Sequence, residues 1–202
     1  MTLKIYVNFL SQPARALAIF LRQNKIPHTT KIVDLMSGEH MTKEYIQNVH
    51  QFGKVPAIDD DGFKMIESIA ILRYLARKYN VPDHWYPKDL QKQARVDEFL
   101  EWQHIGARAP LAMYFRTLFL VPMVTGKPAD EAKVLSWKKK METALDEIEN
   151  VWLKRSQYLG GDQISIADII GLCEIDQPSE SLVYTLNIFW KLILSLCRNG
   201  KI

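Results

Sequence analysis

The sequence predicts a two-domain α+β fold, an N-terminal unit of strands and helices followed by an all-helical unit. Three observations carry the prediction. The chain opens on a strand pattern, a helix pattern and a second strand pattern. Two short apolar runs joined by Asp59–Asp60–Asp61–Gly62 and followed by another helix close its first half. Beyond Asn80–Asp89, which holds Pro82 and Pro87, the apolar residues recur only at helical spacing. The 202 residues, 48% apolar and 24% charged, suffice for two modest domains with real cores.

Lys4 to Asn8 is read as the first strand, with Leu3, Ile5 and Val7 on one face. Ser11–Gln12–Pro13 starts a helix, because Ser caps and Pro fits a first turn. Ala14, Leu17, Ala18 and Leu21 form its buried stripe, and it stops near Asn24, before Pro27. Thr29 to Leu35 reads as a second strand, parallel to the first as a βαβ unit requires. One further helix is expected near Lys43–Val49. Val55–Ile58 and Phe63–Ile66 read as a hairpin. Pro56 stands at its start, where a missing N–H is tolerated and an X-Pro bond can be cis. Ser68 is a natural N-cap for a helix in which Ile69, Leu72, Ala76 and Tyr79 recur at helical spacing. Glu67 and Ser68 thus lie at a helix N-terminus, a place to hold a carboxylate. The whole order is a thioredoxin-like arrangement.

The helical half begins with Leu90 to about Leu120, kinked or broken at Pro110, then a loop from Pro122 to Pro128. Asp130 to Leu159 carries Val134, Trp137, Met141, Leu145, Ile148 and Trp152 at three-or-four spacing, and Gly160–Gly161 ends it. Ser165–Ile166–Ala167–Asp168 is a capping box for the next helix. Residues 1–79 form the first domain, 80–90 the linker, and 91–202 the second domain.

Composition narrows the function. The net charge is +3, with Lys and Arg scattered rather than striped, so no nucleic-acid partner is expected. Cys173 and Cys197 are too few for a disulfide framework or a zinc site, and the five histidines show no ligand spacing, so no metal is expected. The N-terminal stretch MTLKIYVNFL is a strand pattern without a signal-peptide core, which points to a reducing cytoplasm. The apolar run Leu182–Cys197 is short for a membrane span and contains Lys191.

Ser11–Gln12–Pro13 with Arg15, Ile32–Val33–Asp34–Leu35, Gly38–Glu39–His40, Lys54–Val55–Pro56, Glu67–Ser68 and Trp85–Tyr86–Pro87 together resemble a theta-class glutathione S-transferase. Arg95–Val96–Asp97–Glu98 and Trp102–Gln103–His104 extend the resemblance, which covers roughly positions 3 to 178. It implies a detoxifying transferase that adds the glutathione thiolate to small electrophiles. It also implies glutathione as co-substrate and a homodimer. Ser11 matches the serine whose hydroxyl favours the thiolate. His40 and Lys54 match positions for the glycine end of glutathione, and Val55 matches the backbone that pairs with the cysteinyl part. Glu67 matches the site of the γ-glutamyl amine and Ser68 that of its carboxylate. Arg108 matches an arginine near the electrophile, and reads equally well as a salt-bridged helix residue. A glutathione-binding protein with an incomplete electrophile site is the alternative reading. A thiol–disulfide oxidoreductase would need a Cys where Ser11 stands. From about position 179 the sequence leaves the family pattern, and the tail Ser179 to Ile202 is expected to be an atypical, truncated, largely apolar helix.

Overall fold

The computed structural model describes residues 3–179, which form two compact units that divide between Tyr86 and Pro87. The expected apolar tail lies outside the described residues from position 180 onward.

In the first unit, β1 (Leu3–Val7), α1 (Gln12–Gln23) and β2 (His28–Ile32) make the βαβ unit, with β1 and β2 parallel. After α2 (Lys43–Asn48) come β3 (Ala57–Asp60), β4 (Phe63–Ile66) and α3 (Ser68–Lys78). The sheet order is β2-β1-β3-β4, with β3 antiparallel to both neighbours. Leu3, Ile5 and Val7 alternate into the core, as a strand's period of two dictates. Ala14, Leu17, Phe20 and Leu21 of α1 and Ile69, Ile71, Leu72 and Leu75 of α3 are buried with them. Trp85 closes this core edge-on against Phe20, ring centroids 5.8 Å apart. Tyr6, on the opposite side of β1, meets Tyr45 of α2 edge-on at 6.5 Å.

Three boundaries differ from the sequence expectation, each for a local reason. The second strand ends at Ile32 rather than Leu35, because the Asp34 carboxylate accepts the N–H groups of Met36 and Ser37 and turns the chain. The hairpin strand is 57–60 rather than 55–58, and its loop is the pair Asp61–Gly62, both at positive φ as a two-residue turn of this hand requires. Asp60 therefore belongs to the strand. It is buried, and it accepts hydrogen bonds from Tyr74 (2.6 Å) and Lys78. Burial works against its charge, but those two donors offset it and hold the carboxyl below its ordinary value. Finally, Glu67 rather than Ser68 is the cap residue of α3, and Ser68 is its first helical residue.

Among the described residues of the second unit every named element is a helix. α4 (Leu90–Gln103), α5 (Ala109–Phe115) and α6 (Val121–Thr125) run on as one rod through two π turns, His104–Arg108 and Arg116–Leu120. Pro110 and Pro122 each follow a π turn. The widened turn tolerates the missing N–H, so neither proline ends the helix. The expected loop thus shrinks to the stretch from Gly126, which is left-handed and caps α6. α7 (Glu131–Glu147) leads through a π turn to α8 (Leu153–Arg155), which stops short of the predicted Leu159. Tyr158 and Gly161 then exchange backbone hydrogen bonds in a tight turn. α9 (Ile166–Ser179) is the central helix, with Ile166, Ala167, Ile169, Ile170 and Cys173 buried. Phe99, Trp102 and Trp152 pack ring on ring beside it, at 5.1 to 5.7 Å.

Candidate active site

Strand register gathers the first unit's candidates at one end of the sheet. Tyr6 pairs with Ala57 and Ala57 with Ile66. The end of β1 that leads to Ser11, the Val55–Pro56 approach to β3 and the Glu67–Ser68 exit from β4 therefore coincide. β2 runs parallel to β1, so the segment leading to His40 leaves from this end too.

Ser11 occupies the N-cap of α1 with extended backbone (φ −90°, ψ 120°), yet its side chain makes no capping hydrogen bond. The reason is partly Pro13. It stands at the second helical position, where a cap hydroxyl would otherwise find an N–H, and it has none. The Ser11 hydroxyl instead points toward the Val55 carbonyl, 3.5 Å away, a long contact that leaves it open to a better acceptor. Asn8 builds the turn beneath it. Its side-chain amide donates to Val33 O at 2.8 Å, its side-chain oxygen accepts from Leu10 N–H at 2.9 Å, and its own carbonyl accepts from Ser11 N–H at 3.0 Å. The Val55–Pro56 peptide bond is cis.

Glu67 caps α3 from the left-handed side of backbone space (φ 69°), an uncommon conformation for a non-glycine residue. Its side chain is exposed, while Ser68 behind it is buried. The first N–H groups of an 11-residue helix open at this point. His40 sits on the short 3₁₀ turn Glu39–Met41, which follows left-handed Gly38. The turn is held by Glu39, whose carboxylate accepts from Asp34 N–H at 2.7 Å and pairs with Lys31 at 3.2 Å. His40 Nδ1 is shielded from solvent and has no hydrogen-bond partner among the described residues.

Gly53 ties the two loops together. Its φ is +59°, and a Cβ there would lie 2.9 Å from the His40 carbonyl oxygen. Lys54 is exposed, and its carbonyl accepts from the Tyr45 hydroxyl at 2.8 Å. Burial pushes the Tyr45 phenol up to about 12. Asn8, Gly53 and Tyr45 escaped the sequence reading. Gly53 beside Lys54 and Asn8 three residues before Ser11 were the visible signals, but their partners are distant in sequence.

Arg108 belongs to the second unit. Its Nε lies 2.6 Å from Glu174, whose side chain is 1% exposed, so one edge of the guanidinium is committed to an ion pair. Among the described residues no group of three or more His, Cys, Asp or Glu is placed to hold a metal ion, and no helix is long and apolar enough to cross a membrane.

Comparison with known proteins matches residues 1–77 to the glutathione S-transferase N-terminal domain and residues 111–187 to its C-terminal domain. Human glutathione S-transferase theta-1 is 41% identical over 180 residues, 88% of this chain and 74% of that protein. The apo form of human glutathione S-transferase T1-1 superposes with a TM-score of 0.86 at 35% identity, over 98% of this chain and 85% of that one. A human theta-class enzyme in complex with the glutathione conjugate of 1-menaphthyl sulfate gives 0.87 at 35% identity, over 100% of this chain and 86% of that one.

Proposed function

The chain belongs to the glutathione S-transferase family, and from that premise we propose that it binds glutathione at the gathered end of its first sheet and ionises the thiol with Ser11. It is a glutathione transferase, and the reaction is conjugation of the glutathione thiolate to a small electrophile. The observation that carries the site reading is the Ser11 hydroxyl, which stands at a helix N-terminus without being used by the helix. An unassisted thiol, with a pKa of about 8.5, is mostly protonated at neutral pH. A hydroxyl donor and the positive end of α1 both favour its anion. The thiolate then forms the new C–S bond, and a halide or sulfate departs with the electron pair of the broken bond.

The remaining roles follow from charge and position. Lys54 sets a cation against the glycine carboxylate, and His40 offers a ring N–H to the same group. Val55 pairs its backbone with the cysteinyl segment as an added strand would. Glu67 accepts the γ-glutamyl ammonium, while Ser68 and the opening N–H groups of α3 take its carboxylate. Arg108, steadied by Glu174, is assigned to the electrophile. A cytoplasmic homodimer that needs no metal completes the proposal.

Conjugation assays over a panel of alkyl halides and epoxides, run beside retention on immobilised glutathione, test it. Retention with turnover of at least one electrophile is expected. Retention with no turnover across the panel would replace the transferase by a glutathione-binding protein.

A further inference from the structure

The turn that carries Lys54 is pinned at both ends to one residue, Tyr45. The Tyr45 carbonyl accepts from His50 N–H at 3.0 Å, and the Tyr45 hydroxyl donates to Lys54 O at 2.8 Å. Between these pins the chain folds around His50. The His50 carbonyl accepts from Gly53 N–H at 2.8 Å, and its ring Nδ1 accepts from Phe52 N–H at 3.2 Å. The Phe52 ring meets the imidazole edge-on, centroids 6.2 Å apart, and His50 is only 3% exposed. A backbone N–H can bond to Nδ1 only while that nitrogen carries no proton, so the bond fixes the neutral ring as its Nε2–H tautomer.

We propose that His50 is a positioning residue for the glycine end of the glutathione site: neutral Nδ1 sets the Gly53–Lys54–Val55 segment through Phe52, and its protonation releases that segment and weakens glutathione binding in mildly acidic solution. This rests on the assignment of Lys54 and Val55 to glutathione. A protonated Nδ1 turns an acceptor into a donor that faces another donor, and the turn loses the bond that sets its middle. The groups facing the ring act on it in both directions. Burial disfavours the imidazolium most, the Glu67 carboxylate favours it and the Lys54 ammonium opposes it. Tyr45 adds no charge, since its phenol stays protonated to about 12. The net result holds His50 below its ordinary value, so the bond is intact near and above neutrality and fails only as the solution turns acid.

Asparagine offers a matched control. Its side-chain oxygen reaches the N–H two residues on, as His50 Nδ1 does, and it does not titrate. The test is calorimetric titration of the purified protein with S-hexylglutathione, whose thiol is blocked, between about pH 5 and pH 7. The parent is expected to bind about three- to tenfold more weakly at the acid end, the factor one hydrogen bond is worth. His50→Asn should match the parent at neutrality and lose nothing toward acid, while His50→Ala should be weak at both ends. Should His50→Ala fail to fold, the His50→Asn arm decides alone. Binding that is firm but equally strong at both pH values in the parent overturns the proposal, as does a His50→Asn variant that keeps the parent's acid loss. Absence of binding by the parent at neutrality overturns the glutathione-site assignment itself, and this proposal with it.

Discussion

Replacing Asp168 by alanine removes the acceptor on which the start of α9 depends. The carboxylate is buried and accepts from Leu159 N–H at 2.8 Å, Ser165 N–H at 2.8 Å and the Ser165 hydroxyl at 2.9 Å. The hydroxyl can rotate to another acceptor, but the two N–H groups cannot. Each buried donor left unpaired costs about 1–3 kcal/mol, so the variant should lose about 2–6 kcal/mol at neutral pH. Domains are stable by only about 5–15 kcal/mol in all. The loss also has a pH signature. Burial pushes the Asp168 carboxyl up from 3.8 to about 6, against the pull of its donors. A folded value above the unfolded one adds stability that is fully present below 3.8 and is lost as pH rises through about 6. The parent's advantage over Asp168→Ala should therefore widen by up to about 3 kcal/mol from neutrality to pH 4, at 1.36 kcal/mol per tenfold in proton affinity. Urea unfolding followed by tryptophan fluorescence reads it, since Trp102 and Trp152 stack within this unit. A variant within about 1 kcal/mol of the parent, or an advantage that does not change with pH, would refute the reasoning. α9 also carries Glu174, so a loosened start should slacken the grip on Arg108.

Two further substitutions probe the glutathione site. Glu67→Ala should weaken glutathione binding by about 1–3 kcal/mol, the loss of one charge-assisted hydrogen bond, and unchanged affinity by calorimetry would remove Glu67 from the site. Gly53→Ala should lower the melting temperature and raise the KM for glutathione together, because its Cβ would press to 2.9 Å on the His40 carbonyl in a left-handed backbone. An unchanged KM would show that the contact between the two loops does not shape the site.

Periodicity made the strand–helix–strand opening, the hairpin and the helical second half legible, because each buries one face and repeats its apolar residues accordingly. It failed where a distant partner overrides local chemistry. Asp60 looks like a turn residue and is a buried strand residue, because Lys78 and Tyr74 lie across from it in the fold. Pro122 looks like a loop signal and sits inside a helix, because the π turn before it absorbs the missing N–H. The candidate site divided the same way. Ser11, Glu67 and Lys54 were legible as candidates, as residue types in the order of the resemblance, and their roles toward glutathione are proposed. That the helix leaves the Ser11 hydroxyl unused, and that Tyr45 and His50 brace the Lys54 turn, depends on side-chain positions that no spacing encodes.

The most direct measurement is the ionisation of bound glutathione in the parent and in Ser11→Ala, followed by the ultraviolet absorbance of the thiolate as pH is raised. With Ser11 present the bound thiol should ionise well below about 8.5, the value of an unassisted thiol. Ser11→Ala should move it back toward that value and depress turnover, while glutathione affinity stays nearly intact. A variant that keeps both the low ionisation midpoint and full turnover, and merely melts at a lower temperature, would make Ser11 a helix cap and contradict the mechanism.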